Sequence, residues 1–116
     1  MSGDVFFRRV GESRDEEESW DTSRAGLWWL MRFIAERVGD PVAAARLAKS
    51  VDQELGWLDF GSYTDDEVRE MVRVIRDDLP PVVEVEWPPP DEYGAGANFR
   101  ELIEQTTRWA RAHGLL

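Results

Sequence analysis

The chain has 116 residues, with 24 acidic and 14 basic side chains and a formal net charge of -10 at pH 7. It contains no cysteine, which excludes disulfides, zinc–thiolate sites and thiol nucleophiles. The negative charge disfavours binding to nucleic acids and anionic membranes and favours encounter with basic proteins. A chain of this length is typical of one domain, so we expect a single domain over residues 1–116.

The N-terminal segment is predicted to be a short strand followed by a charged loop. Residues 4–10, DVFFRRV, are rich in β-forming side chains, and residues 11–19, GESRDEEES, are almost entirely polar. The segment lacks the basic start and apolar run of a secretory signal. The longest apolar run, LWWLM at residues 27–31, is far shorter than the roughly 20 residues of a membrane helix. We therefore expect a soluble, cytoplasmic protein.

A first helix is predicted over residues 22–38, between N-cap candidates at Asp21 and Thr22 and a glycine stop. The apolar residues at helical spacing on one face are Leu27, Leu30, Met31, Ile34 and Val38. Trp29 and Phe33 lie off that face, one turn apart. They form either a second buried side of a central helix or a surface for a dimer or partner.

Two further helices are predicted over residues 41–55 and 65–79. The first opens with an Asp-Pro cap, and the second opens with a capping box of Thr64 and Glu67. The apolar stripe of the second is Val68, Met71, Val72, Ile75 and Leu79. The two prolines that follow are expected to end it.

The segment VEVEWPPPDEYG, residues 83–94, alternates apolar and acidic residues before three prolines. The alternation predicts a half-buried strand over residues 83–87 with its glutamates outward. We expect it to form an antiparallel pair with the N-terminal strand, where Arg8 and Arg9 would oppose the glutamates.

A last helix is predicted over residues 98–113, opened by a second capping box of Asn98 and Glu101. The predicted fold is therefore mainly α, a single domain of about four helices with a short two-stranded antiparallel β pair. An α+β fold is the alternative.

No pattern in the sequence carries catalytic or metal-binding chemistry. His113, the single histidine, lies in the last helical turn, where the helix dipole favours its charged form. Adjacent carboxylates such as Asp65 and Asp66 point about 100° apart on a helix and form no ready dyad. We expect no catalytic residues, no metal site and no cofactor.

Acidic residues beside two large aromatic residues predict a protein-binding surface. The predicted partner-binding residues are Glu84, Glu86, Trp87, Asp91, Glu92 and Tyr93. In the opposite interpretation, Trp87 points into the core and the acids solvate an edge strand. Trp29 and Phe33 are the candidate second interface.

Two stretches of the C-terminal half resemble the helical immunity proteins of nuclease bacteriocins. SYTDDEVREMVRVI is similar to their first acidic helix, and EWPPPDEYGAGANFRELIEQTTRWARAHG is similar to their C-terminal part. The Tyr-Tyr-Pro of that family's binding helix is absent, and Trp87-Pro88 is a loose counterpart. The resemblance implies an acidic protein that binds a toxin.

The sequence thus predicts a non-catalytic inhibitor of a basic protein, most simply an immunity protein for a toxin, as a monomer or homodimer. Arginine supplies 13 of the 14 basic residues, which favours a bacterial gene of high GC content. The alternatives are a homo-oligomeric structural or regulatory module and a small enzyme or metal-binding protein that uses clustered acids.

Overall fold

The computed structural model describes residues 2–12, 18–91 and 94–116. In chain order the elements are β1 (Ser2–Phe7), β2 (Glu18–Ser23), α1 (Arg24–Ala35), α2 (Pro41–Asp52), β3 (Trp57–Asp59), a 3₁₀ turn (Phe60–Ser62), α3 (Asp65–Arg73), a π-helical segment (Val74–Asp78), α4 (Leu79–Glu86) and α5 (Ala95–Ala112). Because α3, the π-helical segment and α4 follow one another without a break, they form one helical rod. The described residues thus form four helical rods and a small sheet. The fold is mainly α, as predicted.

The sheet has three strands in the order β2-β1-β3. The central strand β1 is antiparallel to β2 and parallel to β3. Gly3, Val5 and Phe7 are buried in alternation with more exposed neighbours, which is the period expected of a half-buried strand. The predicted N-terminal strand is confirmed, but the prediction that residues 83–87 pair with it is wrong.

The predicted apolar faces of the first and third helices are confirmed. The buried side chains are Leu27, Leu30, Met31, Ile34 and Val38 on the first face and Val68, Met71, Val72, Ile75 and Leu79 on the second. The helix α1 begins two residues later than predicted because residues 18–23 form β2. The Ser23 hydroxyl accepts a hydrogen bond from the Gly26 amide at 3.0 Å and caps the helix.

The predicted strand over residues 83–87 is instead the end of a helical rod. The π-helical segment changes the hydrogen-bond spacing before α4, so the two prolines lie in the first turn of a new helix. Proline is tolerated there because its missing amide hydrogen has no partner in that turn. Leu79 and Val83, one turn apart, are the buried residues of α4, and this spacing is helical.

The helix α5 begins at Ala95, so the predicted capping box of Asn98 and Glu101 is wrong. Gly94 occupies the N-cap position in the left-handed region, with a φ of 75°. The Asp91 carboxylate accepts a hydrogen bond from the Ala97 amide at 2.9 Å. No helix within the described ranges combines the length and apolar character needed to cross a membrane.

A buried ion pair joins the end of β1 to the end of β3. The Arg8 guanidinium donates to both Asp59 carboxylate oxygens, at 2.9 Å and 2.6 Å, and this carboxylate also accepts from the Gly61 amide at 2.9 Å. Burial by itself raises the pKa of Asp59, but the hydrogen bonds from Arg8, Gly61 and Ser62 outweigh it and lower that pKa. The ion pair therefore stabilises the fold while the carboxylate is ionised.

Replacement of Asp59 should remove a stabilisation that depends on pH. We expect Asp59→Asn to lower the free energy of unfolding by about 3 kcal/mol near neutral pH, because it removes the carboxylate charge that faces the Arg8 guanidinium in this part-buried site. The folded-state pKa lies below the ordinary carboxyl value of about 3.9, so the difference from wild type should shrink as the pH falls through and below that value. Urea unfolding of both proteins at neutral and acidic pH measures it.

The matched control is Asp66→Asn, which removes an exposed carboxylate paired with Arg69. Exposed pairs contribute little, so we expect a loss of roughly 0.5 kcal/mol or less. Equal losses for the two variants, or a loss for Asp59→Asn that does not change with pH, would contradict the role of this ion pair.

Candidate protein-binding surface

The two predicted interfaces meet in one cluster of rings, which we call the aromatic cluster. Its members are Trp20, Trp29, Phe33, Trp87 and Phe99. Trp29 lies at its centre, with its ring centroid 5.2 Å from those of Phe33, Trp87 and Phe99. These distances are typical of favourable aromatic pairs. The cluster packs α1 against the end of α4 and the start of α5.

Trp87 follows α4 directly and is half-buried, with its ring turned towards the core. Its centroid lies 5.1 Å from that of Phe99, and the Arg100 guanidinium donates to its carbonyl oxygen at 3.1 Å. A Cβ atom at Gly96 would lie 2.9 Å from the same oxygen, so the close approach of α5 requires glycine there. Most of the Trp87 ring therefore packs into the fold, in agreement with the interpretation in which Trp87 points into the core. Only part of the ring remains accessible to a partner.

Trp29 and Phe33 leave little surface for the predicted second interface. Phe33 is buried, and the Arg37 guanidinium covers its ring at 3.6 Å from the centroid. Trp29 is half-buried. A cavity of about 290 Å³ borders both rings, and Val82 also lines it.

The exposed end of α4 carries three consecutive side chains, Glu84, Val85 and Glu86, which we call the α4 tip. Val85 is 78% exposed, the largest value among the exposed large apolar residues of the described chain. Glu84 forms an ion pair with Arg100 at 3.3 Å. Glu86 has no ion pair or hydrogen bond with any residue that the structure describes. The helix thus turns Val85 outward, whereas the predicted strand would have placed it inward.

The remaining predicted partner-binding residues lie on the segment after Trp87. Asp91 is half-buried and its carboxylate caps α5, so it has a structural contact of its own. Glu92 and Tyr93 lie outside the described residues. Of the six predicted positions, the structure therefore places Glu84, Glu86 and Trp87 at the C-terminal end of α4, with the two glutamates exposed and Trp87 half-buried.

Two of the clustered carboxylates, Asp65 and Asp77, form ion pairs with arginines. A hydrogen bond from Arg9 lowers the pKa of Asp65, and one from Arg76 lowers the pKa of Asp77. Carboxylates with lowered pKa values are poor general acids and bases near neutral pH. Among residues 2–12, 18–91 and 94–116, no group of three or more acidic or histidine side chains is placed to bind a metal ion.

His113 lies at the C-terminal end of α5, as predicted. One ring nitrogen is 2.8 Å from the carbonyl oxygen of Trp109, and its ring lies against that of Trp109 with centroids 5.1 Å apart. These contacts are those of a helix terminus.

Comparison with protein-family models, with curated proteins and with solved structures gives no match to this chain.

The aromatic cluster should contribute strongly to stability. We expect Trp29→Ala to lower the free energy of unfolding by about 2–4 kcal/mol, because it removes the ring that joins Phe33, Trp87 and Phe99. Val85→Ala is the control, with an expected change within about 0.5 kcal/mol because this side chain is exposed. Denaturant unfolding measures both. Similar small changes would mean that Trp29 does not support the fold and is free for another role.

Proposed function

We propose that this protein is a non-catalytic module that binds and neutralises a basic protein partner, in the way that immunity proteins inhibit toxins. The observation that carries the proposal is the α4 tip, where Val85 is 78% exposed between two exposed glutamates. Trp87 follows with a half-buried ring. Apolar and aromatic side chains surrounded by charge are typical of the centre and rim of protein interfaces.

The charge of the chain supports a basic partner. A net charge of -10 attracts cationic proteins over distances of about one Debye length, roughly 10 Å at moderate salt. At the α4 tip, Arg100 offsets the charge of Glu84, whereas Glu86 is unpaired within the described part of the chain. We therefore assign the larger steering role to Glu86.

The proposed mechanism has two steps. The acidic surface first accelerates the encounter with the basic partner, which raises the association rate at low salt. Val85 and the open edge of Trp87 then lose water against apolar groups of the partner, which slows dissociation. Inhibition follows when the bound module covers the partner's active site or a surface next to it.

The test begins by identifying the partner and then measures its association rate. Tagged wild-type protein captures proteins from cells of the native source, and mass spectrometry identifies a basic protein among them. We expect Glu84→Lys with Glu86→Lys to lower the association rate constant with that protein by about tenfold at low salt and to weaken its salt dependence. Surface plasmon resonance over a salt series provides the measurement.

The control variant, Asp52→Lys with Asp66→Lys, changes the net charge equally at exposed positions on α2 and α3. It should slow association much less. If the two variants slow association equally, net charge alone drives the encounter and the α4 tip is not the binding surface. If the captured protein retains full activity when saturated with this one, the inhibitor function is wrong.

A further inference from the structure

A second cavity, distinct from the surface of α4 and α5, lies between α2 and the segment around β3. It has a volume of about 300 Å³, near the lower limit for small-molecule sites. The lining residues that matter here are Arg46, Lys49, Gln53, Trp57 and Tyr63. Two basic side chains one turn apart on α2 thus line a cavity of a strongly acidic protein.

Contacts within the protein fix the orientation of the Arg46 side chain. Its guanidinium donates to the carbonyl oxygen of Ser62 at 2.8 Å and lies 4.1 Å above the Tyr63 ring centroid. The Glu67 carboxylate is 4.0 Å away, at the limit of an ion pair, so it offsets the charge only in part. Lys49 is exposed and has no ion pair with any described residue.

Tyr63 supplies a third polar group to the cavity wall. The residue as a whole is only 5% exposed, but its hydroxyl is not fully buried and has no hydrogen bond to any residue in the described ranges. The hydroxyl is therefore accessible to a ligand in the cavity. Burial raises the pKa of Tyr63, so the hydroxyl keeps its proton and is available as a donor.

Trp57 and Leu58 contribute apolar surface to the cavity lining. Trp57 is 49% exposed on the edge strand β3, and Leu58 beside it is buried. An exposed indole at the mouth of a cavity offers a stacking face for a planar group. Asp59 also lines the cavity, but its charge is offset by the bidentate contact with Arg8.

We propose that this cavity binds a small organic anion with a planar ring. The ring would stack on Trp57, and the phosphate or carboxylate would accept hydrogen bonds from Arg46, Lys49 and the Tyr63 hydroxyl. The three donors and the exposed indole that line the cavity define this ligand chemistry. The proposal is independent of the partner-binding surface, since no residue of the α4 tip or the aromatic cluster lines the cavity.

The test uses isothermal titration calorimetry of the full chain with two anionic probes and their uncharged counterparts. The phosphate pair is AMP and adenosine, and the carboxylate pair is 2-naphthoate and 2-naphthamide. We expect at least one anion to bind about tenfold or more tightly than its uncharged counterpart. The pair with the larger ratio distinguishes phosphate from carboxylate.

Point variants connect binding with the cavity. Tyr63→Phe keeps the ring and removes only the unpartnered hydroxyl, so it should weaken the anion about tenfold without loss of stability. Lys49→Gln should weaken it about two- to fivefold, as expected for an exposed charge. Arg108→Gln, which removes an exposed charge from α5, is the control and should leave affinity unchanged. Thermal melting of each variant confirms that it folds.

Two results would overturn the proposal. One is that neither anion binds more tightly than its uncharged counterpart. The other is that Tyr63→Phe and Lys49→Gln, both folded, bind the anion as well as wild type does, since binding would then occur elsewhere.

Discussion

The bidentate contact between Arg8 and Asp59 is the interaction on which the sheet side of this fold depends. The two residues are far apart in sequence, and their contact closes the parallel pair of β1 and β3. A Cβ atom at Gly61 would lie 2.5 Å from the Arg8 side chain, so the 3₁₀ turn after β3 is also packed against it. That turn leads to Tyr63 at the wall of the second cavity. A buried carboxylate is tolerated at this position because the Arg8 guanidinium, the Gly61 amide and the Ser62 hydroxyl donate hydrogen bonds to its oxygens.

On the other side of the molecule, the aromatic cluster has a comparable role. Trp29 contacts rings contributed by α1, α5 and the residue that follows α4, so three helices converge on one indole. Packing within the fold buries most of the surface of Trp29, Phe33 and Trp87, the aromatic residues that were predicted from the sequence to form candidate interfaces. What remains for a partner is the α4 tip and the open edge of Trp87. Stability and the proposed recognition therefore share side chains, and variants at Trp87 or Trp29 would affect both.

The periodicity of apolar residues predicted the secondary structure correctly where a segment showed a single period. The strict apolar stripe from Val68 to Leu79 predicted both a helix and its buried face. In residues 83–87 two periods coexist, because Val83 and Val85 alternate with acids while Leu79 and Val83 are one helical turn apart. The helical period prevails because the π-helical segment continues the helical rod up to the start of α4. The two prolines then lie in the first turn of α4, where proline is tolerated. Tertiary packing of Leu79 and Val83 then stabilises α4, and no local propensity predicts this.

By itself, the sequence determined the mainly α composition, the acidic surface, the absence of thiol chemistry and the capping of α3 by Thr64, since these follow from residue type and short-range spacing. Only the tertiary structure decided which strands pair with β1, that Val85 points outward, and that Arg46, Lys49, Trp57 and Tyr63 border one cavity. Strand pairing and cavities depend on contacts between residues distant in sequence, and the free energy of such contacts is not encoded in any local pattern.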